Sequence, residues 1–206
     1  MNLFSFDERF RKKGFNVIAG VDESGRGPLA GPLVVSCVVL PRGLKITKLT
    51  DSKLISSKNR IKLFEMIYHF AIDFSVVFID EKEIDKINIL RATCKAAEKA
   101  ISSLLYVPEL ILIDGIPFPS SYSFLYEGKS KFIIKGDTKS ASIVSASIMA
   151  KVLRDMFMEK MDKQFPNYGF SVHKGYPTKI HLKAISKYGI CDIHRRTYLS
   201  RYQTPL

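Results

Sequence analysis

Two hydrophobic rhythms alternate along this chain. Predominantly apolar runs occur at about 16–22, 32–40, 72–79, 110–113 and 131–135, and each reads as a strand. Between them, apolar residues recur every third or fourth position, as on one face of a helix. Such helices are predicted over 3–13, from Ser56 or Ser57 to Phe70, from Asp80 to about Leu105, from Ser140 to Met161, and from Lys179 to Tyr188. In the second, Ile61, Phe64, Ile67 and Tyr68 form the expected inner face; in the third, Ile87, Leu90, Cys94, Ala97, Ile101 and Leu104 do so. The fourth is rich in small residues, among them Ala141, Ser142, Ser145, Ala146 and Ser147, which suits close packing on a sheet. The stretch Phe165-Pro166-Asn167-Tyr168-Gly169 breaks the pattern. Strands interleaved with helices predict an α/β fold with a small helical C-terminal extension. The expected division is a main domain over 1–165 and a helical, basic extension of that same domain over 166–206.

Composition narrows the class. The chain has 206 residues and is 46% hydrophobic, enough for one full core. No apolar run is long enough to span a bilayer, and the charged N-terminal stretch lacks the apolar segment of a secretion signal. Cys37, Cys94 and Cys191 are too scattered for a disulfide framework or a zinc site, which points to reduced thiols and a cytoplasmic location. The net charge is +12, carried unevenly. Residues 128–206 hold 15 Lys and Arg against 5 Asp and Glu, whereas residues 1–127 are near neutral with 17 against 15. A basic half suggests a polyanionic partner. Nothing in the pattern requires an oligomer, so a monomer is expected.

The candidate chemistry lies where apolar runs end. Asp22 and Glu23 close the first strand, Asp114 closes the fourth, and Asp137 follows the fifth. Loops at strand ends are where open α/β sheets build their sites. Side chains alternate along a strand, so for Asp22 and Glu23 to serve one site the backbone must bend or the site must wrap round the strand end. Gly25 and Gly27 flank Arg26 in a turn that another chain can approach closely. Four carboxylates without His or Cys suit a hard, oxygen-seeking cation such as Mg²⁺ or Mn²⁺. Two such ions roughly 4 Å apart support in-line phosphoryl transfer. Asp155 lies 18 residues beyond Asp137, roughly 27 Å along a continuous helix, so only one of them can join the site. Asp137, beside a strand end, is the choice; Asp155 reads as a structural acid paired with Arg154 or a neighbour. His69 reads as a structural residue of a core helix. His173, His181 and His194 fall in the basic region and read as solvated or phosphate-facing.

The stretch Gly20-Val21-Asp22-Glu23-Ser24-Gly25-Arg26-Gly27-Pro28-Leu29-Ala30-Gly31-Pro32 resembles the signature of the type 2 ribonucleases H, the ribonuclease HII family. Asp51-Ser52-Lys53, Ile113-Asp114-Gly115, Lys135-Gly136-Asp137, residues 145–155 and His173-Lys174-Gly175-Tyr176-Pro177-Thr178 resemble later blocks of that family, in the same order. Together they span about 16–198. The resemblance implies a ribonuclease H-like fold, with a mixed central sheet flanked by helices. It implies cleavage of RNA paired with DNA, and nicking on the 5′ side of single ribonucleotides in duplex DNA, as in ribonucleotide excision repair and DNA replication. It makes Asp22, Glu23, Asp114 and Asp137 the catalytic, metal-binding acids, served by two divalent ions. It gives substrate binding to Gly25, Arg26, Gly27, Lys53 and Tyr176, with the Gly-Arg-Gly turn at the ribose and the Tyr176 ring on the next sugar. Two other classes compete: a non-catalytic nucleic-acid-binding module, and a different two-metal nuclease such as a junction-cutting enzyme.

Overall fold

A computed structural model describes residues 3–47, 49, 55–115, 117 and 128–200; Lys53, a predicted phosphate contact, lies outside them. The five predicted strands form one mixed sheet in the order β3-β2-β1-β4-β5. They are β1 (Ile18–Ser24), β2 (Leu33–Val39), β3 (Asp73–Ile79), β4 (Leu110–Asp114) and β5 (Ser130–Ile133). The consecutive strands β1, β2 and β3 pair antiparallel, whereas β1 pairs parallel with β4, and β4 with β5. The last strand stops short of the predicted Lys135, because that residue turns left-handed (φ 54°) into a 3-10 turn, Gly136–Thr138.

Both sheet faces are covered. Ala19, Val21, Val35, Cys37 and Ile111 pack against Ala92, Ala96 and Ala100 of α4 (Ile89–Ser102). On the opposite face, Val38 packs with Leu63 and Ile67 of α2 (Ser57–Phe70) and with Ala141, Val144 and Ile148 of α5 (Ala141–Gln164). Alternation along β1 therefore sends residues 19 and 21 toward α4, and 18 and 20 toward α5. There is no side chain at Gly20 to hold the helix away. A Cβ there would stand 2.1 Å from the backbone carbon of Ser142. The small residues of α5 thus serve close approach to the sheet, as their pattern predicted.

The first turn of α5 is anchored by α1 (Leu3–Arg11). Asp7 is buried there and accepts from the hydroxyls of Ser140 (2.6 Å) and Ser142 (2.8 Å) and from the Ser142 N–H (2.9 Å). A carboxylate at a helix N-terminus meets unpaired N–H groups and the positive end of the macrodipole.

Two predicted features are corrected. The helix expected over 80–105 is two: α3 (Glu81–Ile87) and α4, broken at Asn88 with φ 66°. The Asn88 side chain accepts from the N–H of Leu90 (3.0 Å) and Arg91 (3.1 Å) and so restarts the helix. In α2 the buried residues are Leu63 and Ile67, whereas Ile61 and Tyr68 are exposed. The helix meets its neighbours along a narrower stripe than its apolar content suggests.

Beyond residue 165, α6 (Phe170–His173), α7 (Lys179–Tyr188) and α8 (Arg196–Leu199) follow. They share a second core with the far half of α5, in which Met158 and Met161 meet Tyr168, Phe170, Ile185, Ile193 and Leu199. Among the described residues no helix is long and apolar enough to cross a membrane.

Since the α5 backbone occupies the space a Cβ would need, Gly20→Ala is expected to cost about 2–3 kcal/mol through overpacking. A urea unfolding midpoint lowered to match, with no change in slope, is the measurement that checks it.

Candidate active site

Strand pairing itself opens the site. The parallel ladder between β1 and β4 ends at Val21 and Ile113, but the antiparallel ladder to β2 runs on through Ser24. Asp22 and Glu23 therefore stand past the end of the parallel ladder, and Asp114 is the last residue of β4. A cavity of about 260 Å³ begins there, lined by Asp22, Glu23, Ser24, Gly25, Arg26, Gly27, Asp114, Ser147, Lys151 and Tyr176. The β1–β2 ladder stays regular past both acids, so it is the cavity that wraps round the strand end.

Seven of the nine predicted site residues thus share one cavity. Asp137 is not among its lining residues; it lies buried in the 3-10 turn after β5. That turn is fastened to the site, since the Gly136 N–H donates to Asp114 Oδ1 at 2.6 Å. Lys53, outside the described residues, is the ninth.

The electrostatics centre on Asp22. It is 6% exposed, accepts from the Glu23 N–H at 2.7 Å, and receives the hydroxyl of Ser147. Burial, then the charges of Glu23 and Asp114, hold its carboxyl well above the ordinary carboxylate range, against the opposing pull of those two hydrogen bonds. Arg26 relieves only Glu23, through a half-exposed contact of 3.4 Å that carries little energy. Among the described residues no three acids, histidines or cysteines lie close enough as they stand to chelate an ion. The donor set nonetheless suits one: clustered carboxylate oxygens repelling one another around a buried Asp22 are what a hard divalent cation compensates.

Ser147 and Lys151 line the cavity without having been predicted. The signal was present in their spacing. Residues 147, 151 and 155 lie four apart on one face of α5. Asp155 accepts from Lys151 Nζ at 2.7 Å and meets Arg60 at 3.7 Å, so it is a structural acid, as expected, but its partner is not Arg154. Arg154 points to a different face and is fully buried. It donates to the carbonyls of Pro32 (2.9 Å), Lys174 (3.0 Å) and Ala30 (3.1 Å). Arg195, also fully buried, donates to the carbonyls of Gly25 (2.7 Å), Arg26 (3.2 Å) and Gly31 (2.7 Å). Two arginines thus grip the Gly-Arg-Gly turn and its continuation from behind. Gly25 has φ 101°, and a Cβ there would meet Arg154 Nε at 2.3 Å and the Pro32 carbonyl oxygen at 2.6 Å, so only glycine fits.

The histidines reverse their predicted settings. His69 is exposed, and His173, His181 and His194 are buried. Of the basic segment 194–196, only Arg196 reaches solvent.

A mixed five-stranded sheet with helices on both faces, and acids at the ends of its central strands, belongs to the ribonuclease H-like fold class. The ribonuclease H2 of Pyrococcus horikoshii has the same fold: TM-score 0.77, 29% identity, covering 91% of this chain and 96% of that one. The sequence model described as Ribonuclease HII matches residues 19–202. Curated ribonucleases HII are similar over nearly the whole chain. That of Endomicrobium trichonymphae is 49% identical over 197 residues, 96% of this chain and 92% of its own length. That of Acetivibrio thermocellus is 45% identical over 202 residues, 98% and 77%. This chain belongs to the ribonuclease HII family, whose members are metal-dependent ribonucleases H.

The raised Asp22 carboxyl has a measurable sign. Folding disfavours its charged form, so the metal-free protein loses stability as pH rises from the ordinary value of 3.8 through the raised folded value. In chelator at pH 7, Asp22→Asn is expected to unfold at a higher urea concentration than the wild type. The gap should close as the pH is lowered toward 4, where the wild-type carboxyl is itself neutral.

Proposed function

We propose that this chain hydrolyses the RNA strand of RNA–DNA hybrids and also nicks duplex DNA on the 5′ side of a single embedded ribonucleotide, leaving 5′-phosphate and 3′-hydroxyl ends. The observation that carries this reading is the sharing of one cavity by two unlike sets of groups. Asp22, Glu23 and Asp114 form its acidic side; Gly25, Arg26, Gly27 and Tyr176 form the other. An acid cluster alone is common to many nucleases. A glycine-flanked turn beside it offers backbone groups to a sugar without steric bulk, and telling RNA from DNA requires contact with the 2′-hydroxyl.

Each residue then has a role. Asp22, Glu23 and Asp114 hold one divalent ion, Mn²⁺ or Mg²⁺, and Asp137 completes the holding of a second from its turn beside Asp114. When bound, the ions supply an activated water and charge neutralisation at the phosphate. The Gly25–Gly27 turn receives the ribose, and its carbonyls, held by Arg195, leave the turn little freedom to adapt to a wrong sugar. The Tyr176 ring packs on the adjoining deoxyribose, where a 2′-hydroxyl would be crowded out. Lys53 and the basic region beyond 166, including the exposed Lys179, Lys183 and Lys187 of α7, hold phosphates without reading bases. The enzyme acts as a cytoplasmic monomer in ribonucleotide excision repair and DNA replication.

The test is a labelled duplex carrying one ribonucleotide, compared with an all-DNA control, in Mg²⁺, Mn²⁺ or chelator. An ion-dependent nick 5′ of the ribonucleotide is expected, absent from the control. Asp114→Asn should slow it by roughly 10²-fold or more. Cutting of the all-DNA control would support the different-nuclease reading instead, and tight binding without any cut would support a binding module.

A further inference from the structure

Three buried imidazoles lie behind Tyr176, and for neutral rings their partners select one arrangement of protons. His181 Nδ1 is 2.9 Å from the carbonyl oxygen of Tyr176, and a carbonyl only accepts, so Nδ1 carries the proton. His181 Nε2 must then accept, and it faces His194 Nε2 at 3.1 Å, which must donate. In the neutral ring His194 Nδ1 then accepts, and it receives the Cys191 N–H at 2.9 Å, with the Cys191 Sγ and carbonyl oxygen each at 3.2 Å. The third ring, His173, is closed off in the same manner. Its Nε2 donates to the Tyr168 carbonyl at 2.8 Å, and its Nδ1 accepts the Gly175 N–H at 3.2 Å. His173 and His181 stack with centroids 4.4 Å apart, both edge-on to Phe170.

We infer that His181 and His194 are positioning residues for Tyr176: a neutral, tautomer-locked chain from the Cys191 backbone through His194 and His181 to the Tyr176 carbonyl holds that residue at the rim of the cavity. The same carbonyl also accepts the Thr178 N–H at 2.8 Å, and the Tyr176 N–H donates to the His173 carbonyl at 2.9 Å, so the residue's backbone is tied on both sides. The residue is left 42% exposed, with its ring Cε1 standing 3.6 Å from where a Cβ on Gly27 would be. The inference rests on the reading above, in which Tyr176 meets a substrate sugar.

An extra proton on His181 Nε2 would face the His194 N–H and break the link between the two rings. On His194 Nδ1 it would oppose the Cys191 N–H but meet the Cys191 carbonyl at 3.2 Å, so the sensitive ring is His181. Among the described residues, the ionisable groups round the rings include Cys191, Asp162, Lys174 and Tyr168, whose ring lies 5.1 Å from that of His194. Burial, above all, pushes His181 and His194 down to about 4, and His173 below its usual value. The chain is therefore intact at neutral pH and is lost when acidification puts a second proton on His181.

The tautomers are read directly, by long-range ¹⁵N–¹H spectra of the histidine-labelled full chain at pH 7.5. The expected result is Nδ1–H for His181 and Nε2–H for His173 and His194, all neutral. Any other tautomer at His181 or His194, or a charged ring there, overturns the inference. Kinetics on the single-ribonucleotide duplex supply the second arm. His194→Leu fills the space without a donor and is expected to raise KM about tenfold with kcat nearly unchanged; His194→Gln keeps an amide N–H near the Nε2 position and should recover most of the loss. Tyr176→Ala should raise KM similarly, and the double variant with His194→Leu no further, as for groups acting as one. A folded His194→Leu with wild-type KM overturns the inference and leaves the proposed function standing. Where His194→Leu does not fold, the comparison moves to wild type against Tyr176→Ala across acidic pH. A wild-type KM that rises in step with the observed histidine titration, and a flat KM in Tyr176→Ala, support the inference; parallel profiles overturn it. Failure of the wild type to cut the ribonucleotide duplex with any ion removes the proposed function and Tyr176's role with it, while the ring tautomers are read independently.

Discussion

The rest of the structure depends on the backbone of α5 lying directly against β1, with nothing at Gly20 to separate them. One helix of 24 residues then runs from its contact with α1 to the core it shares with α6, α7 and α8. Its first turn takes the buried carboxylate of Asp7, and its second places Ser147 on Asp22. A turn later Lys151 lines the cavity, and Arg154 holds the carbonyls of Ala30, Pro32 and Lys174. Met158 and Met161 begin the second core. A helix set further from the sheet would lose these relations together, because a rigid rod transmits a displacement along its whole length.

The site itself is under electrostatic tension. Asp22, Glu23 and Asp114 converge on a cavity in which Asp22 is almost dry; of the cations among its lining residues, Arg26 meets only Glu23, loosely, and Lys151 pairs with Asp155. Burial without a counter-charge is costly. The fold bears that cost because β1 is held on both sides by its neighbours and by α5 from above. Such an arrangement favours whatever brings positive charge among the carboxylates.

Opposite the acids, the cavity wall is held by groups that lie outside it. Arg195 and Arg154 donate to backbone carbonyls and lie over the rings of Tyr198 and Tyr176, and adjacent to Arg195 the imidazole of His194 begins the chain to Tyr176. Residues 194 and 195 therefore fasten both the Gly-Arg-Gly turn and the tyrosine, from one short stretch of the C-terminal region. That region is basic in composition, but its surface is less so than its sequence suggests, because its buried arginine and histidines serve as hydrogen-bond donors and acceptors inside.

Local chemistry and period were legible without coordinates. Apolar runs of four to nine residues, ended by Gly, Pro or Asp, are too short for most helices and suit strands covered on their faces, and so the five strands, the α/β class and the strand-end acids Asp22, Glu23 and Asp114 followed from the sequence. So did the structural role of Asp155, through a helical distance argument. What the sequence left open was every relation across the chain: that Asn88 would break a helix whose apolar period ran on unbroken, that Ser147 and Lys151 would face the acids, that Asp137 would lie buried beside the cavity without lining it, and that His173, His181 and His194 would be dry. Charge and polarity in a sequence say that a group needs a partner. Only the tertiary structure decides whether that partner is water, an ion or a backbone carbonyl more than a hundred residues away, because burial is a property of the packed chain and belongs to no residue on its own.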